Sequence, residues 1–149
     1  MWPICAPSSS SAMPERNLAC ADVGTRLPPL TLPALSRTTL ALYAGASGDH
    51  NPNHIDIDAA RAAGNDDVFA HGMLVMAWLG RLLTGWAPRE SIRSFDTRFI
   101  SMTRIGERIT CSGEVVEKRD GAFVVQLQAC NEHGEVKATG RAVIAGRDQ

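Results

Sequence analysis

The sequence predicts an α+β domain in which an antiparallel sheet packs on one long buried helix. Two observations carry this. His71-Gly72-Met73-Leu74-Val75-Met76-Ala77-Trp78-Leu79-Gly80-Arg81-Leu82-Leu83 is apolar almost all round, with its only charge at Arg81, and a helix apolar on every face is expected to be buried on every face. After Pro88 the pattern changes to four strand-like runs joined by turn signals. Helices first and a meander of strands second is an α+β order.

Residues 1–21 read as a poorly ordered tail, because Pro3, Pro7 and the run Ser8 to Ser11 offer little surface to bury. The tail has neither the basic nor the apolar segment of a secretory signal, and Met13 is an alternative start. The domain is expected over residues 22–146. Leu27 to Leu35 contains Pro28, Pro29 and Pro33 and allows only an edge or irregular strand. Ser36 is an N-cap for a helix carrying Leu40, Leu42 and Tyr43, ended by Gly45 and Gly48. Asp56 or Asp58 caps a short helix through Ala59 to Ala63, stopped by Gly64-Asn65. The apolar helix follows, ended by Gly85 and Pro88. Strands are expected at Ser91 to Met102, Glu107 to Lys118, Ala122 to Cys130 and Glu135 to Ala145. Ile109, Cys111, Gly113 and Val115 share one face by alternation, as do Phe123, Val125, Leu127 and Ala129. Arg119-Asp120-Gly121 and Asn131-Glu132-His133-Gly134 are turns between antiparallel neighbours.

The chain has 149 residues, the size of one domain with a core that needs no metal or disulfide. Its net charge is −1, from 15 basic and 16 acidic residues, so no overall field favours nucleic acid or an anionic membrane. No run is long and apolar enough to span a bilayer. Cys5, Cys20, Cys111 and Cys130 are widely separated and form no CxxC, the thiol usage of a reduced, cytoplasmic protein. Cys111 and Cys130 are placed on the apolar phase of two strands, as core residues.

The richest stretch is Tyr43-Ala-Gly-Ala-Ser-Gly-Asp49-His50-Asn51-Pro52-Asn53-His54. It sets a carboxylate and an imidazole five residues apart in a segment that Gly48 and the Asn51-Pro52 step keep from being regular helix. Asp49 and His54 held by a stiff loop can move a proton to and from water; the bland alternative is a loop whose His54 bonds a backbone carbonyl. Asn51 and Pro52 shape the loop. His50 reads as solvated and His71 as a structural residue at a helix start. Asp49, His50, His54, Asp56 and Asp58 have the residue types of a hard-metal site, but their crowding is compositional and no metal is expected. Met73, Met76, Trp78 and Leu82 read as core rather than as a cofactor box. Arg93, Arg98 and Arg104 lie in or beside a strand, either as solvated or ion-paired charges or as partners for phosphate.

These residues, with Phe69-Ala70-His71-Gly72-Met73, resemble the MaoC-like hydratases and dehydratases, among them (R)-specific enoyl-CoA hydratases and hydroxyacyl-thioester dehydratases. The resemblance covers roughly Asp22 to Gly146. It implies a hot-dog fold, an antiparallel sheet wrapped around a long central helix, usually paired as a homodimer and open to higher oligomers or heterodimers. It implies Asp49 and His54 as the catalytic pair and Gly72 as the residue whose N–H binds the thioester oxygen. The substrate it implies is an acyl-CoA or acyl carrier protein thioester, with no metal or redox cofactor. Some members carry a serine inside the central helix that orients the aspartate; here Gly80 takes that position. Three readings follow: a hydro-lyase interconverting enoyl and 3-hydroxyacyl thioesters, an acyl-CoA thioesterase, and one subunit of a heterodimeric dehydratase.

Overall fold

The computed structural model describes residue 18 and residues 20–146. Most of the expected tail, including Cys5 and Met13, lies outside the described residues. Leu18 and Ala21, within that tail stretch, are buried in the core, so the packed body starts upstream of Asp22.

The first strand, β1, is only Leu30–Thr31 and pairs antiparallel with β3 through Leu30↔Cys111, as its prolines dictate. Helix α1 (Arg37–Ser47) begins where Ser36 accepts a hydrogen bond from the Thr39 N–H. It runs through Gly45 and ends at Gly48, which adopts φ 75°, a left-handed conformation that glycine takes without steric cost. Leu40 and Ala44 face the core, whereas Leu42 is exposed. Helix α2 (Ile57–Ala62) is capped by Asp56, whose carboxylate accepts from the N–H groups of Asp58 and Ala59.

Helix α3 (Gly72–Trp86) passes through Gly85 and touches all five strands. It buries Leu74, Val75, Trp78, Leu79, Leu82, Leu83 and Trp86. The expectation of burial on every face does not hold within one chain. Met73, Ala77, Arg81 and Thr84, spaced three or four apart, form an exposed stripe, because the sheet curls around only one side of the helix.

The remaining strands are β2 (Ile92–Phe99), β3 (Thr110–Arg119), β4 (Ala122–Cys130) and β5 (Val136–Ala145), in the order β1-β3-β4-β5-β2 and antiparallel throughout. Asp120 and Gly121 both have positive φ and join β3 to β4, the two-residue hairpin geometry whose twist suits its strands. Ile109, Cys111, Val115, Phe123, Val125, Leu127 and Ala129 are buried as the alternation requires. Val116 is the extra residue of a bulge between Val115 and Glu117, and it is exposed. Cys130 is only half-buried. It stands on the opposite phase to Ala129, which corrects its expected place in the core.

One buried polar knot secures the end of β2 against the start of β5. The Lys137 ammonium, almost wholly buried, lies 2.7 Å from Glu107 and 2.8 Å from Glu135 and donates to the Met102 carbonyl at 2.9 Å. Asn131 donates to both carboxylates. The ammonium has two hydrogen-bond acceptors and a second carboxylate beside it, which is how a lysine tolerates burial.

Candidate active site

The Asp49–His54 loop is held at each step by local bonds. The Asp49 N–H donates to Ser47 Oγ at 3.2 Å, and the Asp49 carboxylate accepts from the Asn51 N–H at 3.2 Å. The Asn51 side chain accepts from the Asn53 N–H and caps a single 3-10 turn, Pro52–His54, with proline at its start. Asn51 and Pro52 thus stand at the N-cap and the first position of this turn. That turn carries His54 inward, to 8% exposure, while Asp49 stays exposed.

His54 Nδ1 lies 2.8 Å from the carbonyl oxygen of Phe69. A carbonyl only accepts, so Nδ1 carries the proton and Nε2 keeps its lone pair. Phe69 is fixed in turn by a β-bridge to Arg104, and its ring meets the His54 ring edge-on with centroids 4.9 Å apart. Burial holds the His54 pKa below its ordinary 6.5; the nearby His71 pushes it the same way, against the opposing bond to Phe69 and the charge of Asp49.

His71 was expected only to start the helix. It is 1% exposed and lies against His54, ring centroids 4.0 Å apart. One side-chain ligand atom from each of Asp49, His54 and His71 lies within 4.8 Å of the other two. The crowded acidic set does not assemble: His50 is exposed and Asp56 is used as a helix cap.

Gly72 is the first residue of α3, where an N–H has no intrahelical acceptor and the helix dipole favours negative charge. His54 and Gly72 share the wall of one cavity of about 320 Å³ with Phe69, Val75, Phe99 and Met102. A Cβ on Gly72 would sit 3.3 Å from the Phe99 ring. Phe99 had no functional signal in the sequence beyond being an apolar strand end. A neighbouring cavity of about 340 Å³ shares Phe69 and Met102 and is lined by Asp66, Asp67 and Arg104. Arg93 and Arg98 are exposed on β2 and line neither cavity. A Cβ on Gly80 would sit 3.7 Å from the Phe95 ring. The bonds that position Asp49 come instead from Ser47 and Asn51, and from His71, whose Nε2 reaches the Asp49 backbone carbonyl.

Neutral His54 is the form that can take a proton, and its lowered pKa keeps it neutral to lower pH than a free imidazole. The acid limb of kcat/KM is therefore expected to have its midpoint below about 6.5. Stability follows the same sign. The unfolded chain protonates this histidine near about 6.5, before the folded chain does, so His54's contribution to stability falls as pH drops from there through the folded pKa. A kcat/KM profile with its acid limb at or above that value would exclude His54 as a base in this protein's chemistry.

A five-stranded antiparallel sheet curled on one helix defines the hot-dog class. The MaoC like domain matches residues 22–137, and the chain belongs to that family. It is 32% identical over 118 residues to the (R)-specific enoyl-CoA hydratase of Rhodospirillum rubrum, covering 74% of this chain and 78% of that one. Among solved structures it is similar to the ChsH1-ChsH2 complex from Mycobacterium tuberculosis, with TM-score 0.77 and 29% identity over 85% of this chain and 98% of that one. It is also similar to the R-hydratase PhaJ1 from Pseudomonas aeruginosa, with TM-score 0.75 and 26% identity over 88% and 86% of the two chains. No helix among the described residues is long and apolar enough to cross a membrane.

Proposed function

We propose that the protein is a hydro-lyase that interconverts 2-enoyl and 3-hydroxyacyl thioesters of CoA or acyl carrier protein, with Asp49 and His54 acting on one water and Gly72 binding the thioester oxygen. The observation that carries this is that His54, whose Nδ1–H is held by the Phe69 carbonyl, and Gly72, the first residue of α3, line one cavity. In the hydration direction His54 Nε2 takes a proton from water held against the Asp49 carboxylate. The water oxygen adds at Cβ, and charge moves to the thioester oxygen, where the Gly72 N–H meets it. The imidazolium, beside the Asp49 carboxylate, returns its proton to Cα. Water's two parts are then both accounted for, and the step draws on no metal or redox cofactor. The reaction is assigned to the cytoplasm on the separated cysteines, and the active unit to a homodimer.

The test is a hydration assay of the purified protein alone across short, medium and branched enoyl-CoAs. Loss of the enoyl absorbance without release of free thiol is expected. Thiol release instead would make the protein a thioesterase. A second reading has its own support: the similar ChsH1-ChsH2 structure is a complex of two different chains. Hydration that appears only with a second chain co-purified from the native host would establish that arrangement and overturn the homodimer.

A further inference from the structure

We propose that His71 is a positioning residue for this site: its Nε2–H holds the backbone carbonyl of Asp49. The inference rests on the Asp49/His54 reading above.

His71 occupies the N-cap of α3 but makes no side-chain cap bond, so the usual structural use of a polar residue at that position is missing. Its Nε2 instead lies 3.1 Å from the Asp49 carbonyl oxygen. The carbonyl accepts, so Nε2 carries the proton and Nδ1 a lone pair. That Nδ1 is buried with no hydrogen-bond partner. Leaving a buried polar atom unpaired costs stability, and a hydrocarbon side chain would fill the space without that cost. The ring is clamped between the His54 ring, tilted 34° to it, and the edge of Tyr43, centroid 4.9 Å away. The direction of the Nε2–H is thereby fixed by α1 on one side and the loop on the other.

The contact ties the three parts of the site together. Asp49 hangs from Nε2, His54 lies on the ring, and Gly72 is the next residue in the chain. His71 thus sets the distance between the water-handling pair and the thioester donor, and misplacement of reacting groups by about 1 Å can cost up to about 10²-fold in rate. It does not line the cavity, and its one donor is engaged, so it acts through its neighbours rather than on substrate.

Three substitutions test this. Glutamine places an amide N–H the same number of bonds from Cβ as His Nε2. Asparagine is one bond shorter, and leucine has no donor. Each purified variant is checked for fold by circular dichroism and melting, then assayed for enoyl-CoA hydration. His71→Asn and His71→Leu are expected to lose roughly 10- to 100-fold in kcat with KM within about twofold, while His71→Gln stays within about threefold of wild type. If leucine fails to fold, the asparagine and glutamine pair, alike in polarity and different in reach, still decides. Glutamine as poor as asparagine, or asparagine as good as wild type, would overturn the proposal. Asp49→Asn runs in parallel: if it keeps full activity, the reading of the pair has failed, whatever His71 does.

Discussion

Asp49→Asn and His54→Ala are each expected to lose about 10²–10⁴-fold in hydration rate, the usual share of general acid–base catalysis. Asp49 is exposed, and its carboxylate accepts one loop N–H, so its amide variant should fold as well as the parent. His54→Ala is less clean, because it also leaves the Phe69 carbonyl without the Nδ1–H at 2.8 Å. His54→Asn separates the two roles. Its side-chain amide stands where Nδ1 does and can keep the Phe69 bond, yet it has nothing in place of Nε2. Asparagine should therefore restore stability relative to alanine without restoring turnover. Because Asp49 and His54 act on one water, the double variant should be far less than multiplicatively worse than either single one. Near-wild-type kcat in a folded His54→Asn would remove the mechanism.

Strands β4 and β5, and the end of β3, were legible to within a residue, because each strand has one mainly buried face and period-two alternation then admits one register. The start of β3 was set too early, at Glu107. That residue's charge is engaged by Lys137 and Asn131 rather than its backbone by the ladder. The polar knot was not legible: Glu107, Asn131, Glu135 and Lys137 carry no spacing signal, and only the folded sheet brings Glu107 to the others. The apolar composition of α3 showed that it is central but not which side the sheet would cover. At the site, Asp49, His54 and Gly72 were singled out by local signals, a stiff loop and a glycine opening an apolar helix. His71 was read as a structural residue at a helix start, and it stands there as the N-cap of α3, but its partners were not foreseen. Its contacts are with Tyr43, Asp49 and His54, 17 to 28 positions back, and no local pattern encodes them.

Gly72→Pro is expected to cut turnover far more than it cuts stability. Proline removes the N–H proposed to bind the thioester oxygen, at a helix position where that N–H has no intrahelical partner. It also requires the preceding residue to be extended, and His71 already is, at φ −56° and ψ 133°. The backbone is thus prepared for proline on both sides of the peptide bond. Losing one oxyanion donor typically costs about 2.7–4 kcal/mol of transition-state stabilisation, or roughly 10²–10³ in rate. Alanine is the necessary control. It keeps the N–H but places a methyl 3.3 Å from the Phe99 ring, and that ring is half exposed at the end of an edge strand and free to shift by tenths of an ångström. Gly72→Ala should therefore narrow the cavity and raise KM while largely retaining kcat, and Gly72→Pro should fall a further factor of about 10²–10³ in kcat. Equal turnover in the two folded variants would mean that the backbone donor at position 72 does not carry the developing charge, because the N–H is the chemical difference that bears on the oxyanion, and both variants add carbon on the same side of Phe99.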